Sequence, residues 1–140
     1  MTQPTITDLD TALDTDEADA VCSAAWDAFD VVGRLADALA LDEASDEMQA
    51  MLTGIKCTEG RRLLPPPRYG RLRETPTPGP GRAGLEPFEA LLRHVDVALR
   101  RLASAPEGAG DAEQLNLVAD HAATAADLLI SIRQDGGGAS

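Results

Sequence analysis

Residues 15–41, TDEADAVCSAAWDAFDVVGRLADALAL, contain the clearest helical pattern in the chain. Apolar side chains recur there at alternating spacings of three and four residues, which places them on one face of an α-helix. They are Cys22, Ala25, Phe29, Val32, Ala36 and Leu39. Asp14 and Glu17, three residues apart, have the spacing of a capping box. We therefore predict a first long helix over 15–41.

A second amphipathic segment follows and ends at a run of prolines. It begins near Asp42 or Ser45, and it cannot pass Leu64 because prolines occupy 65–67. Its apolar positions are Met48, Met51, Leu52 and Ile55. We expect this face to pack in the core. The alternative is that the two methionines line an adaptable groove for a partner.

The third and fourth predicted helices are joined by a short turn. The third covers 86–104, with Pro87 in the first turn, where proline is well tolerated. The fourth covers 112–133, with Asp111 and Gln114 at capping-box spacing. A short connection makes the two helices antiparallel neighbours. The pattern as a whole predicts an all-α protein, an antiparallel four-helix bundle.

The connection between the second and third helices is long and rich in proline, glycine and arginine. It reads PPPRYGRLRETPTPGPGRAG over 65–84, and its six prolines and four glycines exclude a regular helix. We predict a flexible N-terminal tail over 1–13 and one helical-bundle domain over 14–133. A flexible C-terminal tail is predicted over 134–140.

The charge of the chain is acidic overall and unevenly distributed. The formal net charge is −12, made up of −12 over residues 1–50, +5 over 51–82 and −5 over 83–140. An acidic total argues against nucleic acid and against an anionic membrane surface as partners. The abundance of Ala, Gly, Pro and Arg, with one lysine, is typical of a GC-rich bacterial genome.

The arginine-rich segment 61–82 is the most unusual feature for function. We predict partner binding through Arg61, Arg62, Arg68, Tyr69, Arg71 and Arg73. An acidic protein or a nucleic-acid backbone would fit these cations, and Tyr69 would be the single stacking residue. The competing interpretation is that the arginines neutralise the chain's own acidic helices. Trp26 either covers the core or anchors a partner.

Metal-binding and catalytic patterns are not evident in the sequence. His94 and His121 flank the predicted core, without the spacing of a metal-binding helix, and we expect boundary or surface histidines. Cys22 falls on the packed face, whereas Cys57 has basic neighbours that would lower the pKa of a reactive thiol. No phosphate-binding glycine motif occurs, so we predict no metal and no cofactor.

These patterns favour a non-catalytic helical interaction protein, an accessory or regulatory subunit with an unknown protein partner. The alternative is a helical bundle, either a binding protein or an enzyme, that holds a small apolar ligand or substrate between its helices. A third hypothesis is a nucleic-acid-linked regulator that uses the arginine-rich segment. The alanine-rich apolar faces of the helices could also pack between two copies of the chain, which permits a homodimer. The N-terminal sequence lacks the features of a signal peptide, so we expect a cytoplasmic location.

Overall fold

The computed structural model describes residues 6–15, 17–40, 47–64, 85–104 and 112–138. Regular structure in these ranges is entirely helical, which confirms the predicted all-α class. Within them, no helix combines the length and apolar character needed to cross a bilayer. The helices are α1 (Ile6–Leu13), α2 (Ala18–Ala40), α3 (Glu47–Arg62), α4 (Glu86–Ser104) and α5 (Ala112–Gly138).

The described helices share one hydrophobic core. Helix α2 packs against α3 and α4, α5 packs against the same two helices, and α1 lies against α2 and α4. Phe29 is the largest fully buried side chain. The fully buried leucines are Leu13, Leu35, Leu91, Leu92, Leu99 and Leu129. The core is therefore mainly aliphatic, as the low aromatic content leads one to expect.

Helix α4 has the predicted bounds, but the long helix α2 begins later than predicted. Val21 donates its backbone N–H to the carbonyl of Glu17 at 3.0 Å, so Glu17 stands at the start of α2. The amide of Asp14 donates to the carbonyl of Asp10 at 3.2 Å, which places Asp14 at the end of α1. The predicted capping box of Asp14 and Glu17 is therefore wrong.

The N-terminal segment differs from the flexible tail predicted over 1–13, because its described part forms helix α1. An isolated helix of this length is unstable in water, so tertiary contacts must hold it. Leu9 and Leu13, four residues apart, are both buried in the core. Arg101 of α4 donates to the carbonyls of Leu13 at 2.8 Å and Thr15 at 3.0 Å. This guanidinium satisfies carbonyls at the C-terminal end of α1.

The C-terminal helix is also longer than predicted. Helix α5 continues to Gly138, through much of the segment 134–140 that the sequence assigns to a flexible tail. Three consecutive glycines are poor helix formers, but extending an existing helix costs far less than starting one. Residues 134–138 therefore belong to helix α5 in the structure.

The prediction that fails most clearly is the buried face of α3. The residues predicted to lie in the core are exposed to solvent. Their exposed fractions are 65% for Met48, 51% for Met51, 38% for Leu52 and 48% for Ile55. The helix instead buries a face of smaller residues, Ala50, Thr53, Cys57 and Gly60. The physical reason is the close approach of α3 to α2, which leaves no room for large side chains between them. The predicted loop over 65–84 lies outside the described residues.

Candidate interaction surface on helix α3

The large apolar side chains of α3 form a continuous row on its outer surface. Residues separated by three, four and seven positions lie on the same side of a helix. Met48, Met51, Leu52 and Ile55 have these separations, and each is exposed. We call these four residues the α3 stripe. Val97 on α4 and Leu117 on α5 are the other large apolar residues that are exposed in the described helices.

The opposite face of α3 explains why the stripe points outward. At Gly60, an added Cβ would lie 2.6 Å from Cζ of the Phe29 ring. Gly33 of α2 lies beside Cys57 of α3, where an added Cβ would be 3.6 Å from the Cβ of the cysteine. The helices thus approach through residues with little or no side chain, which tight packing favours. Turning the stripe inward would force α2 and α3 apart.

One arginine of the predicted partner-binding set is occupied within the protein. Arg61 Nη1 lies 2.9 Å from Asp30 Oδ1, and Arg34 Nε lies 3.5 Å from Asp30 Oδ2. Because Asp30 is buried, this ion pair ties α3 to α2 in a partly desolvated position. The guanidinium of Arg61 also lies over the Trp26 ring, 5.4 Å from its centroid.

Trp26 is half-buried and packs against the hydrophobic core. Its ring is bounded on one side by the core and covered by the Arg61 guanidinium. Trp26 thus contributes to covering the core, and its role as an anchor for a partner stays a prediction.

Arg62 has a different environment from Arg61. It is exposed and lines an open depression of about 410 Å³ together with Glu59, Leu63 and His121. His121 Nδ1 lies 3.5 Å from Glu59 Oε2, and the side-chain amide of Gln114 donates to the carbonyl of Leu63. Three of the four lining residues have ionisable side chains, and the depression lies at the C-terminal end of α3.

The two histidines belong to separate contacts. His94 lies between Asp10 and Asp14, with Nδ1 2.8 Å from Asp10 Oδ1 and Nε2 2.8 Å from Asp14 Oδ1. Burial is the largest single influence and disfavours the cation, but the two carboxylates together raise the pKa of His94 above 6.5. His121 instead contacts α3. The described ranges hold no cluster of three or more His, Cys, Asp or Glu residues suited to a metal ion.

Cys57 does not have the lowered pKa that its basic neighbours suggested. Burial raises the pKa of this thiol to about 12, and the nearby Arg61 opposes this only in part. Because the thiolate is the reactive form, Cys57 is a packing residue at the α2–α3 contact. Cys22 is half-buried, and both cysteines are free thiols.

The remaining predicted partner-binding residues, Arg68, Tyr69, Arg71 and Arg73, lie outside the described residues. The α3 stripe was visible in the sequence as an apolar face, but it was assigned to the core. A second pattern was available to correct this, since Ala50, Thr53, Cys57 and Gly60 also follow helical spacing. Small residues on one face of a helix permit close approach to a neighbour. No protein-family model, curated protein or solved structure matches this chain.

Proposed function

We propose that this protein is a non-catalytic helical interaction protein, an accessory or regulatory subunit that docks through the α3 stripe. The observation that carries the proposal is the contiguous row of Met48, Met51, Leu52 and Ile55 on an exposed helix face. Single exposed apolar residues are ordinary on protein surfaces, whereas contiguous apolar patches mark interaction sites.

The energetics of the stripe support this proposal. Removing apolar surface from water is worth about 25 cal/mol per Å², so covering each of these half-exposed side chains contributes on the order of 1 kcal/mol. Methionine adds adaptability, because its unbranched side chain adjusts to irregular surfaces. Two of the chain's three methionines belong to the stripe. The row therefore has the composition of a docking surface.

We also infer that α2 to α5 form the predicted antiparallel four-helix bundle. Helices α2 and α5 each pack against both α3 and α4, and this supports a ring of four helices. Within such a ring, α3 is held from two sides and presents its outer face on a rigid support. A binding face on a rigid helix loses little conformational entropy when a partner docks.

The basic segment 61–82 remains the second element of the proposal. It begins at the C-terminal end of α3, where Arg62 is exposed seven residues after Ile55. A partner that covers the stripe and continues along α3 would also meet Arg62, which attracts acidic groups. The proposed location is the cytoplasm.

Affinity capture from lysate of the source cells tests the proposal. The full chain serves as bait, in comparison with Leu52→Glu, which places a charge within the stripe. Val97→Glu is the matched control, since it adds the same charge at an exposed apolar residue on α4. We expect a stoichiometric protein bound by the wild type and Val97→Glu and lost with Leu52→Glu, while circular dichroism shows equal helicity. Equal capture by all three baits would contradict docking through the stripe.

A second variant tests the basic segment separately. Reversing Arg68, Arg71 and Arg73 to Glu should abolish capture without changing helicity if these arginines bind the partner. If capture survives the reversal, these arginines do not bind the partner and the segment serves only to connect α3 and α4.

A further inference from the structure

We propose that the occupant of the α3 stripe is a second copy of this chain, with the two α3 helices packed antiparallel about a twofold axis. This inference rests on the proposed function, because it names the partner of the same surface. The stripe runs from Met48 to Ile55, so its centre falls between Met51 and Leu52. An axis there places Met48 of one copy opposite Ile55 of the other.

The symmetry of this arrangement follows from the position of the stripe. A twofold interface uses the same patch on both subunits, so the patch must be complementary to itself. The stripe occupies the N-terminal half of α3, with Glu47 and Lys56 on either side of it. An axis between Met51 and Leu52 therefore makes the two stripes overlap along their whole length of about 12 Å.

The charges along α3 favour antiparallel over parallel pairing. Glu47 lies directly before the stripe, and Lys56 lies directly after it. Antiparallel copies place Glu47 of each copy beside Lys56 of the other. Parallel copies would place like charges together at both ends, which is destabilising.

The net charge of the chain makes this local complementarity decisive. Two copies that each carry −12 repel one another at most orientations. The C-terminal half of α3 carries Lys56 and the exposed Arg62 against the single acid Glu59, whereas Arg61 is paired with Asp30 within the chain. Pairing through α3 therefore brings Lys56 of each copy to the acidic start of the other helix. A second copy also carries the matching charge at each end without requiring a different protein.

Sedimentation analysis of the purified full chain over a concentration series tests the pairing. The monomer has a mass of 14.7 kDa, and we expect a shift toward about 29 kDa, twice that value, in the micromolar range. Met51→Glu places two carboxylates beside the twofold axis and should weaken the dimer about 100-fold or more. Val97→Glu, which adds the same charge away from α3, should leave the dimer unchanged.

Cysteine cross-linking tests the antiparallel direction. Copies carrying Met48→Cys, mixed with copies carrying Ile55→Cys, should form a disulfide between the two variants under mild oxidation. Met48→Cys alone should cross-link poorly to itself, because the two positions 48 lie at opposite ends of the contact. Peptide mass spectrometry identifies the linked cysteines and so separates these bonds from any made by the natural Cys22 or Cys57.

Each outcome decides the inference. A chain that remains monomeric throughout the concentration series overturns self-pairing, and so does a dimer that Met51→Glu leaves intact. Efficient cross-linking of Met48→Cys to itself overturns the antiparallel direction. If the chain is monomeric but Leu52→Glu still abolishes capture from lysate, the proposed function survives with a different protein as partner. If neither assay responds to charges in the stripe, the proposed function fails as well.

Discussion

Gly60 of α3 lies against the ring of Phe29 of α2, so closely that an added Cβ would be 2.6 Å from Cζ of the ring. Phe29 is fully buried and surrounded by the core, so its ring cannot move without displacing other side chains. This contact sets how near the two helices lie. It also determines which face of α3 meets α2.

Gly60→Ala should therefore destabilise the protein, even though alanine is the better helix former. We expect a loss of about 1–3 kcal/mol in the free energy of unfolding, because the added methyl group overfills the contact. Urea denaturation followed by circular dichroism measures it. Gly54→Ala is the matched control on the same helix, where the added Cβ would lie 3.5 Å from Asp37 Oδ1, an ordinary contact. That variant should gain about 0.5–1 kcal/mol, and a loss equal to that of Gly60→Ala would contradict the steric explanation.

The ion pair between Asp30 and Arg61 should contribute measurably to stability. Asp30→Ala removes the acceptor of both Arg61 and Arg34 at a buried position, and we expect a loss of about 1–3 kcal/mol. Asp37→Ala, at an exposed acid on the same helix, should stay within about 0.5 kcal/mol of the wild type.

A double-mutant cycle with Arg61→Ala isolates the pairwise contribution. Losses from Asp30→Ala and Arg61→Ala that simply add would show that the two residues are not coupled. Trp26 is the only tryptophan, so its fluorescence provides an independent signal. Arg61→Ala uncovers the ring and should shift its emission to longer wavelength.

The contact of His94 with α1 should make stability depend on pH. The folded-state pKa of His94 is raised above 6.5, and both ring nitrogens face carboxylate oxygens, so the cation is the form that donates to Asp10 and Asp14 together. A raised pKa means that the folded state binds the proton more tightly than the unfolded state. The stabilising contribution is therefore complete below about pH 6.5 and is lost as the pH rises through the folded-state pKa.

His94→Gln separates this contribution from other titrations. The difference in unfolding free energy between wild type and His94→Gln should be larger at about pH 6 than at about pH 8.5. Asp14→Asn should reduce that pH dependence by removing one of the two carboxylates. A difference that is constant with pH, or that grows toward high pH, would show that the histidine does not act as a cation in this contact.

Cys57 should be inert toward thiol reagents in the folded protein. Burial raises the pKa of this thiol to about 12, so the unreactive protonated form predominates at pH 8. We expect a maleimide or a disulfide reagent to modify the half-buried Cys22 first, and Cys57 only after unfolding in denaturant. Peptide mass spectrometry distinguishes the two sites. Rapid modification of Cys57 in the native state would contradict its burial.

Local sequence patterns are enough to predict the helical class and the position of the long central helices. The three-four spacing around Phe29 predicts α2, and Pro87 together with the leucines that follow predicts α4. These signals are local, because helix formation depends on residues within one or two turns. Local patterns do not predict the short α1, since it is held by His94 and Arg101, which are distant in sequence.

Which face of α3 is exposed depends instead on packing between helices. Hydrophobicity alone favoured burial of Met51 and Leu52, because it measures the transfer of one side chain and not the space between two helices. That space is set by Gly60 against Phe29, a relationship between residues on different helices. The same close approach brings Arg61 to Asp30 and Trp26. The apolar residues of α3 can thus be read from the sequence, but their place on the surface follows from steric fit across the α2–α3 contact.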